Sequence, residues 1–224
     1  GTQALYVNTT GSSNVAMGRD ALTANTTGGD NVAVGYASLG VNTTGASNTA
    51  LGAYALDANT TAGNNTAVGA GSVGSNTTGA GNTGIGRVAL TTNTTGNDNV
   101  ALGYRALNLS TTASNNTAIG KDALYANTTG HSNVAVGALA LDANTTGEEN
   151  TAVGKNVLGA NTTASYNTSM GSSSMLVNTT GANNVALGVN ALKSNTTASN
   201  NTGIGFGALV ANTTGSDNVS VGSQ

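Results

Sequence analysis

The sequence predicts an all-β fold: a parallel β-solenoid, or β-roll, with 17-residue coils and about 13 turns. The run Asn-Thr-Thr recurs every 17 residues from Asn8 to Asn212 without an insertion or a deletion. A second Asn follows six residues later in every repeat, and a Gly follows four residues after that. A fixed period in this range is typical of solenoids, in which each repeat buries its apolar face only against its neighbours. Frequent Thr, Gly and Asn disfavour a helical repeat.

Counted from Gly1 as position 1, the repeat reads G-x-x-(A/S)-L-x-x-N-T-T-(G/A)-x-x-N-(V/T)-A-(V/L/I/M). Residues 31–34 show the alternation of β-branched and small residues that predicts a short strand at the end of each repeat. We expect two or three such strands per coil, joined by Asn and Gly turns, with one of them at the Ala-Leu pair of positions 4 and 5. Gly at position 1 and Gly or Ala at position 11 suit a positive φ or a close backbone approach.

Stacked in-register strands lie ~4.8 Å apart, so each recurring Asn lies above another Asn. Asn amides both donate and accept hydrogen bonds, and stacked amides can satisfy turn backbone groups inside a narrow coil. The sequence therefore predicts a structural ladder at position 14. Its predicted members are Asn14, Asn31, Asn48, Asn65, Asn82, Asn99 and Asn116. Position 8 predicts a second ladder, in which Ser110 is the one residue that is not Asn.

The unbroken period indicates one continuous array over residues 1–224. Both ends fall within a repeat, and solenoids usually carry atypical capping repeats. We therefore expect an uncapped segment of a longer fibre, or else a body whose ends are covered by something else. The chain has no Cys, so no disulfide framework is expected, and no apolar stretch is long enough to predict a membrane span.

Charge maps the predicted surface. All fifteen charged residues, all six Tyr and Phe206 fall in positions 2, 3, 6, 12 and 13. Positions 2 and 3 are mainly basic and positions 12 and 13 are acidic. Two interpretations stay open: ordinary solubilising residues, or side-to-side association of a basic edge with an acidic one. The candidate ligand or interface surface consists of Tyr36, Tyr54, Tyr104, Phe206, Arg87, Arg105 and Lys121. Adjacent coils could pair Arg105 with Asp122, or stack Tyr104 between Arg87 and Lys121.

The uncharged positions favour a homo-oligomer. Positions 14–17 carry no charge in any repeat, although only one face of a strand can point into the coil. The other face is then an uncharged stripe along the array, and large exposed stripes of this kind usually mark interfaces. Positions 7–11 make a second such stripe. We expect a trimer or a fibre formed by lateral association, with end-to-end stacking as a further mode.

Part of each repeat resembles a known family. Residues 30–38, Asp-Asn-Val-Ala-Val-Gly-Tyr-Ala-Ser, resemble the N-x-V-A-I-G-x-x-S repeat of trimeric autotransporter adhesin heads, although that repeat is shorter and lacks Asn-Thr-Thr-Gly. Residues 42–56 look more like repeats of phage and viral tail-fibre proteins. The adhesin heads are parallel β-rolls with three chains side by side. Both resemblances imply a fibre on a cell or virion surface, in the extracellular space.

The sequence gives little support for catalysis, and we expect neither an enzyme nor a metal or cofactor site. Catalytic sites need convergent titratable groups. His131 is the only His and falls in a surface turn, and Glu148 and Glu149 are adjacent on a turn. The acidic residues of position 13 lie several coils apart, too far to share one Ca²⁺. The net charge of −3 does not suggest nucleic-acid binding.

The sequence thus predicts a structural rod that displays variable surface positions. Two alternatives remain: an ice-binding solenoid that uses the Thr rows beginning at Thr9 and Thr10, and an adhesin that binds a cell-surface glycan through the aromatic residues of positions 2 and 3. Each Asn-Thr-Thr is also an N-glycosylation sequon, although a role of its Asn in a ladder is the stronger interpretation.

Overall fold

The computed structural model describes all 224 residues and confirms the predicted class, a parallel β-solenoid of 17-residue coils without a helix. The chain forms two compact units, unit 1 at Gly1–Ser114 and unit 2 at Asn115–Gln224. The expectation of one continuous array across both units stays a prediction.

Each strand has three residues, at positions 15–17 of the repeat. Unit 1 contains β1 (Val15–Met17), β2 (Val32–Val34), β3 (Thr49–Leu51), β4 (Thr66–Val68), β5 (Thr83–Ile85) and β6 (Val100–Leu102). Unit 2 contains β7 (Thr117–Ile119), β8 (Val134–Val136), β9 (Thr151–Val153), β10 (Thr168–Met170), β11 (Val185–Leu187), β12 (Thr202–Ile204) and β13 (Val219–Val221). Consecutive strands within a unit pair in parallel, and each residue faces the residue 17 positions away.

The prediction of a further strand at positions 4 and 5 is wrong, because the chain turns there. Leu22 has a φ of 50° and Asp20 has a φ of 60°, and the same left-handed conformation recurs at positions 3 and 5 of the other coils. The backbone N–H of Asn25 donates to the Leu22 carbonyl (3.2 Å) and closes the turn. A left-handed conformation costs about 1–2 kcal/mol for a residue with a side chain. Complete burial of a Leu contributes about 1.5–3 kcal/mol, which is enough to hold Leu22 in it.

The interior is thin and is made of repeated rows. Leu at position 5 supplies the largest fully buried side chains, such as Leu39 and Leu56. Small residues at positions 4 and 16 lie beside them, such as Ala55 and Ala50. Two rows of Asn complete the interior, so about half of its side chains are polar and need hydrogen-bond partners.

Those partners come from the neighbouring coils. In the row at position 14, Asn31 Nδ2 donates to the Gly45 carbonyl (2.9 Å) and Asn31 Oδ1 accepts from the backbone N–H of Asn48 (3.0 Å). In the row at position 8, Asn42 Nδ2 donates to Asn25 Oδ1 (2.9 Å) and to the Gly45 carbonyl (3.0 Å). Among the seven Asn singled out for position 14, Asn14 in the first coil is half-buried. The other six are fully buried: Asn31, Asn48, Asn65, Asn82, Asn99 and Asn116.

Glycine at position 1 satisfies both of the predicted requirements. Gly35 has a φ of 136°, and a Cβ there would lie 2.5 Å from the carbonyl oxygen of Gly52 in the next coil. Gly28, at position 11, has no positive φ, but a Cβ there would overlap the carbonyl oxygen of Gly45 in the next coil. Close approach of neighbouring coils is therefore the reason for a small residue at position 11.

Candidate functional site

Each strand directs one side chain inward and two outward. In β3, Ala50 is fully buried, whereas Thr49 is partly exposed and Leu51 is 47% exposed. The middle residue of every strand is Ala, Gly or Ser, which are the sizes that fit a thin interior. Positions 15 and 17 therefore form a surface of their own, which we call the outer strand face.

The outer strand face consists of two straight rows, with neighbouring residues of a row ~4.8 Å apart along the strand-pairing direction. Position 15 is Val or Thr in every strand, and position 17 is Val, Leu, Ile or Met. Neither row carries a charged residue in either unit. Its members at internal coils that are more than one-third exposed are Leu51, Ile85, Val100, Leu102, Val134 and Met170. The predicted uncharged stripe is thus a largely apolar strand face whose other side chains at internal coils are partly exposed.

The predicted aromatic and basic candidates lie on a different edge, at positions 2 and 3. In unit 1 the Arg19 guanidinium lies over the Tyr36 ring (4.8 Å to the ring centroid), and Tyr36 meets Tyr54 edge to face (5.0 Å between centroids). Tyr104 lies against both Arg87 (5.7 Å) and Arg105 (5.1 Å). The structure thus brings five of the seven candidate residues into two clusters, together with Arg19.

The remaining two candidates, Lys121 and Phe206, belong to unit 2. Lys121 Nζ lies 3.8 Å from the carboxylate of its neighbour Asp122, and Phe206 is 59% exposed. The basic character of the edge is weaker than the sequence indicated, because Arg19 also pairs with its neighbour Asp20 (3.1 Å). Hydrogen bonds to the Tyr36 hydroxyl and then to Asp20 raise the pKa of the Arg19 guanidinium.

The sequence placed His131 alone in its turn, and the structure gives it a partner from the next coil. His131 Nε2 lies against Glu148 Oε2, while His131 Nδ1 lies 3.4 Å from Ser132 Oγ. A spacing of 17 residues between His131 and Glu148 was the signal for this contact, because residues one period apart are neighbours. About half of the His131 side chain is exposed, and His131 does not line the cavities at residues 142–177 and 208–224.

Two carboxylates at position 6 are less exposed than the charge map implied. Asp57 and Asp142 are each half-buried, and burial raises the pKa of both carboxyl groups. In both cases position 6 of the next coil is glycine, Gly74 and Gly159, so no side chain covers the carboxylate from that side. The pairing of Asp with a Gly 17 residues later is the sequence signal that would have identified them.

The two Thr rows differ. The Thr43 hydroxyl, at position 9, donates to the Thr60 carbonyl of the next coil (3.1 Å), and the other Thr residues of this row make the same type of bond. Thr44, at position 10, is exposed and makes no such bond. Only one of these two Thr rows therefore presents free hydroxyls, as expected for adjacent residues, and two matched rows would favour ice binding more strongly. The sequon Asn of position 8, such as Asn42 and Asn59, are fully buried, which favours their structural role.

The chain contains no group of three His, Cys, Asp or Glu side chains that could hold a metal ion. It also contains no long apolar helix of the kind that crosses a lipid bilayer. The chain matches no protein-family model, and neither a curated protein sequence nor a solved structure is significantly similar to it. Inferences about its function therefore depend on the surfaces described above.

Proposed function

We propose that the protein is the structural rod of an extracellular or virion-surface fibre, and that its outer strand face packs against copies of the same chain in a homo-oligomer. The observation that carries this proposal is the pair of uncharged rows at positions 15 and 17, whose side chains are partly or fully exposed although they are largely apolar. A soluble monomer rarely leaves so regular an apolar surface in water, and surfaces of this kind usually mark interfaces.

The regularity of the face favours a second copy as its partner. The rows repeat every ~4.8 Å over successive coils. Side chains of a partner can pack between the side chains of these rows along their whole length only if the partner has the same repeat distance. Another copy of this chain necessarily has that repeat distance. The resemblance to trimeric adhesin heads favours three copies side by side. The backbone of each strand is already paired along the array, so association through this face uses side chains alone.

The experiment compares two double variants with equal added charge. Leu51→Lys with Leu102→Lys places two cations on the outer strand face, at side chains that are 47% and 43% exposed. Val41→Lys with Leu109→Lys places two cations at position 7, at side chains that are 46% and 37% exposed. Molar mass is measured by light scattering during size exclusion. We expect an oligomer for the wild type and the position 7 variant, and a monomer for the strand-face variant.

A monomeric wild type at micromolar concentration would contradict the proposal. An oligomer that survives both Lys substitutions on the strand face but dissociates in the position 7 variant would instead place the interface on the second uncharged stripe.

A second candidate function, glycan binding, is favoured by the cluster of Arg19, Tyr36 and Tyr54. Exposed aromatic rings beside a guanidinium provide stacking surface and hydrogen-bond donors for a sugar. A glycan array tests this candidate. If the candidate is correct, the wild type binds a glycan and the double variant Tyr36→Ala with Tyr54→Ala does not. Tyr166→Ala should keep the binding, because Tyr166 is as exposed as Tyr54 but lies in unit 2, at position 13 of its repeat.

A further inference from the structure

A groove opens on the surface of unit 2 where position 6 is glycine. Gly159 lies between Asp142 of the preceding coil and Leu176 of the following one. A Cβ on Gly159 would lie 3.4 Å from Asp142 Oδ1 and 3.5 Å from Leu176 Cδ1, so a carboxylate and a methyl group face the same space from opposite sides. The cavity measures about 340 Å³ and is lined by Asp142, Asn156, Gly159, Ala160, Leu176 and Val177. We call it the Gly159 groove.

The carboxylate in the groove has no cation. Neither Lys nor Arg nor His forms an ion pair with Asp142. Burial raises the pKa of Asp142 and the carboxylate of Asp122 raises it further, whereas hydrogen bonds with the backbone of Asp142 and Ala143 lower it. A half-buried carboxylate without a counter-ion favours a positively charged occupant, because the charge of the ligand replaces the hydration that burial removes.

The opposite wall is apolar. Leu176 is partly exposed and Val177 is 39% exposed, and neither side chain offers a hydrogen bond. A ligand that suits both walls has a charged end and an apolar stem. Lysine fits this description better than arginine, since a compact ammonium suits a single carboxylate and an alkyl stem packs along aliphatic side chains.

We propose that the Gly159 groove binds a lysine side chain of a partner protein, with the ammonium on Asp142 and the stem against Leu176 and Val177. The volume of the groove is near the lower end of the ~300–1,000 Å³ that is usual for small-ligand sites. The groove is lined from positions 3, 6 and 7 of the repeat, and the outer strand face is at positions 15 and 17. This proposal therefore does not depend on the proposed self-association.

Unit 1 provides a matched comparison. Asp57 precedes Gly74 there as Asp142 precedes Gly159, and a Cβ on Gly74 would lie 3.2 Å from Asp57 Oδ1. The far wall differs, because Thr91 and Thr92 stand where unit 2 has Leu176 and Val177. Both Thr hydroxyls already donate to backbone carbonyls, Thr91 to Gly71 (3.0 Å). The same carboxylate and glycine are thus present without the apolar wall, and we expect weaker binding at Asp57.

The test is an NMR titration of the isotope-labelled full chain with Nα-acetyl-lysine N-methylamide. We expect shifts of the amide signals of Asp142, Asn156 and Gly159, and smaller shifts around Asp57. Asp142→Asn should weaken binding about tenfold, because the charged acceptor is removed. Leu176→Thr should weaken it several-fold by reproducing the wall of unit 1. Gly159→Ala adds a methyl group to the floor of the groove and should also weaken binding. The fold should be kept, because Gly159 has no positive φ and the added Cβ would lie at ordinary contact distances from its neighbours.

Controls decide the identity of the occupant. The norleucine analogue has the same stem without the ammonium, and equal binding of this analogue would overturn the proposal. Unchanged binding in Asp142→Asn would also overturn the proposal, provided that a circular dichroism spectrum shows the variant to be folded.

Tighter binding of putrescine than of the lysine derivative would overturn the assignment to a protein side chain. Shifts that appear on concentration of the protein alone, and vanish in Lys193→Gln, would show that a second copy of this chain is the occupant and would overturn the assignment to another protein. Unchanged binding in Asp57→Asn supports the proposal.

Discussion

The two sides of a strand in this solenoid differ in how completely their groups are partnered. Inside β3, Ala50 packs against buried Leu and Asn rows whose polar atoms bond to neighbouring coils. Outside it, Thr49 and Leu51 face solvent in uncharged rows. The inner side finds its hydrogen-bond partners within the same chain. The outer side is chemically similar to a protein interior but has no partner within the chain, and this difference is the reason to infer association.

In unit 1 the buried side-chain polar atoms all have partners except at one step of the position 8 row, between Asn93 and Ser110. Asn76 Oδ1 accepts from Asn93 Nδ2 (2.9 Å), whereas Asn93 Oδ1 has no partner because the next residue of the row is Ser110. The Ser110 hydroxyl is also buried without a hydrogen bond. The serine side chain is too short to donate to Asn93 Oδ1 as an Asn at the same position does in other coils. This break in the row makes it possible to measure what one step of the ladder contributes.

The largest expected effect is the loss of an intact ladder member. Asn59→Ala removes the bonds from Asn59 Nδ2 to Asn42 Oδ1 and to the Ala62 carbonyl, and the bond from Asn76 Nδ2 to Asn59 Oδ1. Each buried group left without a partner costs about 1–3 kcal/mol. We therefore expect the free energy of unfolding in urea to fall by about 3 kcal/mol or more.

Thr61→Ala is the control in the same coil, since Thr61 is exposed and should change stability by less than about 0.5 kcal/mol. Equal effects of the two substitutions would show that the ladder does not stabilise the coil.

Repair of the break should have a smaller effect of opposite sign. Ser110→Asn supplies the amide that Asn93 Oδ1 lacks, and we expect a gain of about 1–2 kcal/mol in the free energy of unfolding. Ser110→Ala removes the unpartnered hydroxyl without supplying a donor, so its gain should be smaller. If Ser110→Asn destabilises the chain in urea denaturation, the row at this coil is not an interrupted copy of the ladder.

The smallest expected effect on stability concerns the half-buried carboxylate of Asp57 at position 6. Asn108, at position 6, donates from Nδ2 to the Val88 carbonyl (2.7 Å), and Asp57 occupies the same position without a proton to donate at neutral pH. We expect Asp57→Asn to gain about 1 kcal/mol near pH 7 by adding this bond to Ala37.

The advantage of Asp57→Asn should depend on pH. Burial raises the pKa of Asp57 above its unfolded value, so the carboxyl group stabilises the fold below the unfolded pKa and loses this contribution as the pH rises through the folded pKa. The wild type should therefore approach the variant in stability as the solution is acidified toward the ordinary aspartate pKa. A constant difference between the two proteins in urea denaturation from neutral to acidic pH would contradict this account.

Sequence reasoning predicted the coil, the strand at positions 15–17 and the Asn rows, because each depends on a residue type that recurs at one position. It failed at positions 3 and 5. A left-handed backbone is usually marked by Gly or Asn, and here Leu adopts it because tertiary burial outweighs the local preference. Contacts between coils, such as His131 with Glu148, follow from the 17-residue spacing once in-register stacking is assumed. The Gly159 groove depends on side chains from three coils, and no single repeat contains its signal.

The most direct test of the division between the two sides is the concentration dependence of thermal unfolding. Association through the outer strand face links unfolding to dissociation, so the wild-type midpoint should rise when the protein concentration is raised about a hundredfold. The variant with Leu51→Lys and Leu102→Lys keeps the inner rows and should unfold cooperatively at a midpoint that does not depend on concentration. Midpoints that are independent of concentration for both proteins would contradict the account, because the outer strand face would then have no partner in solution.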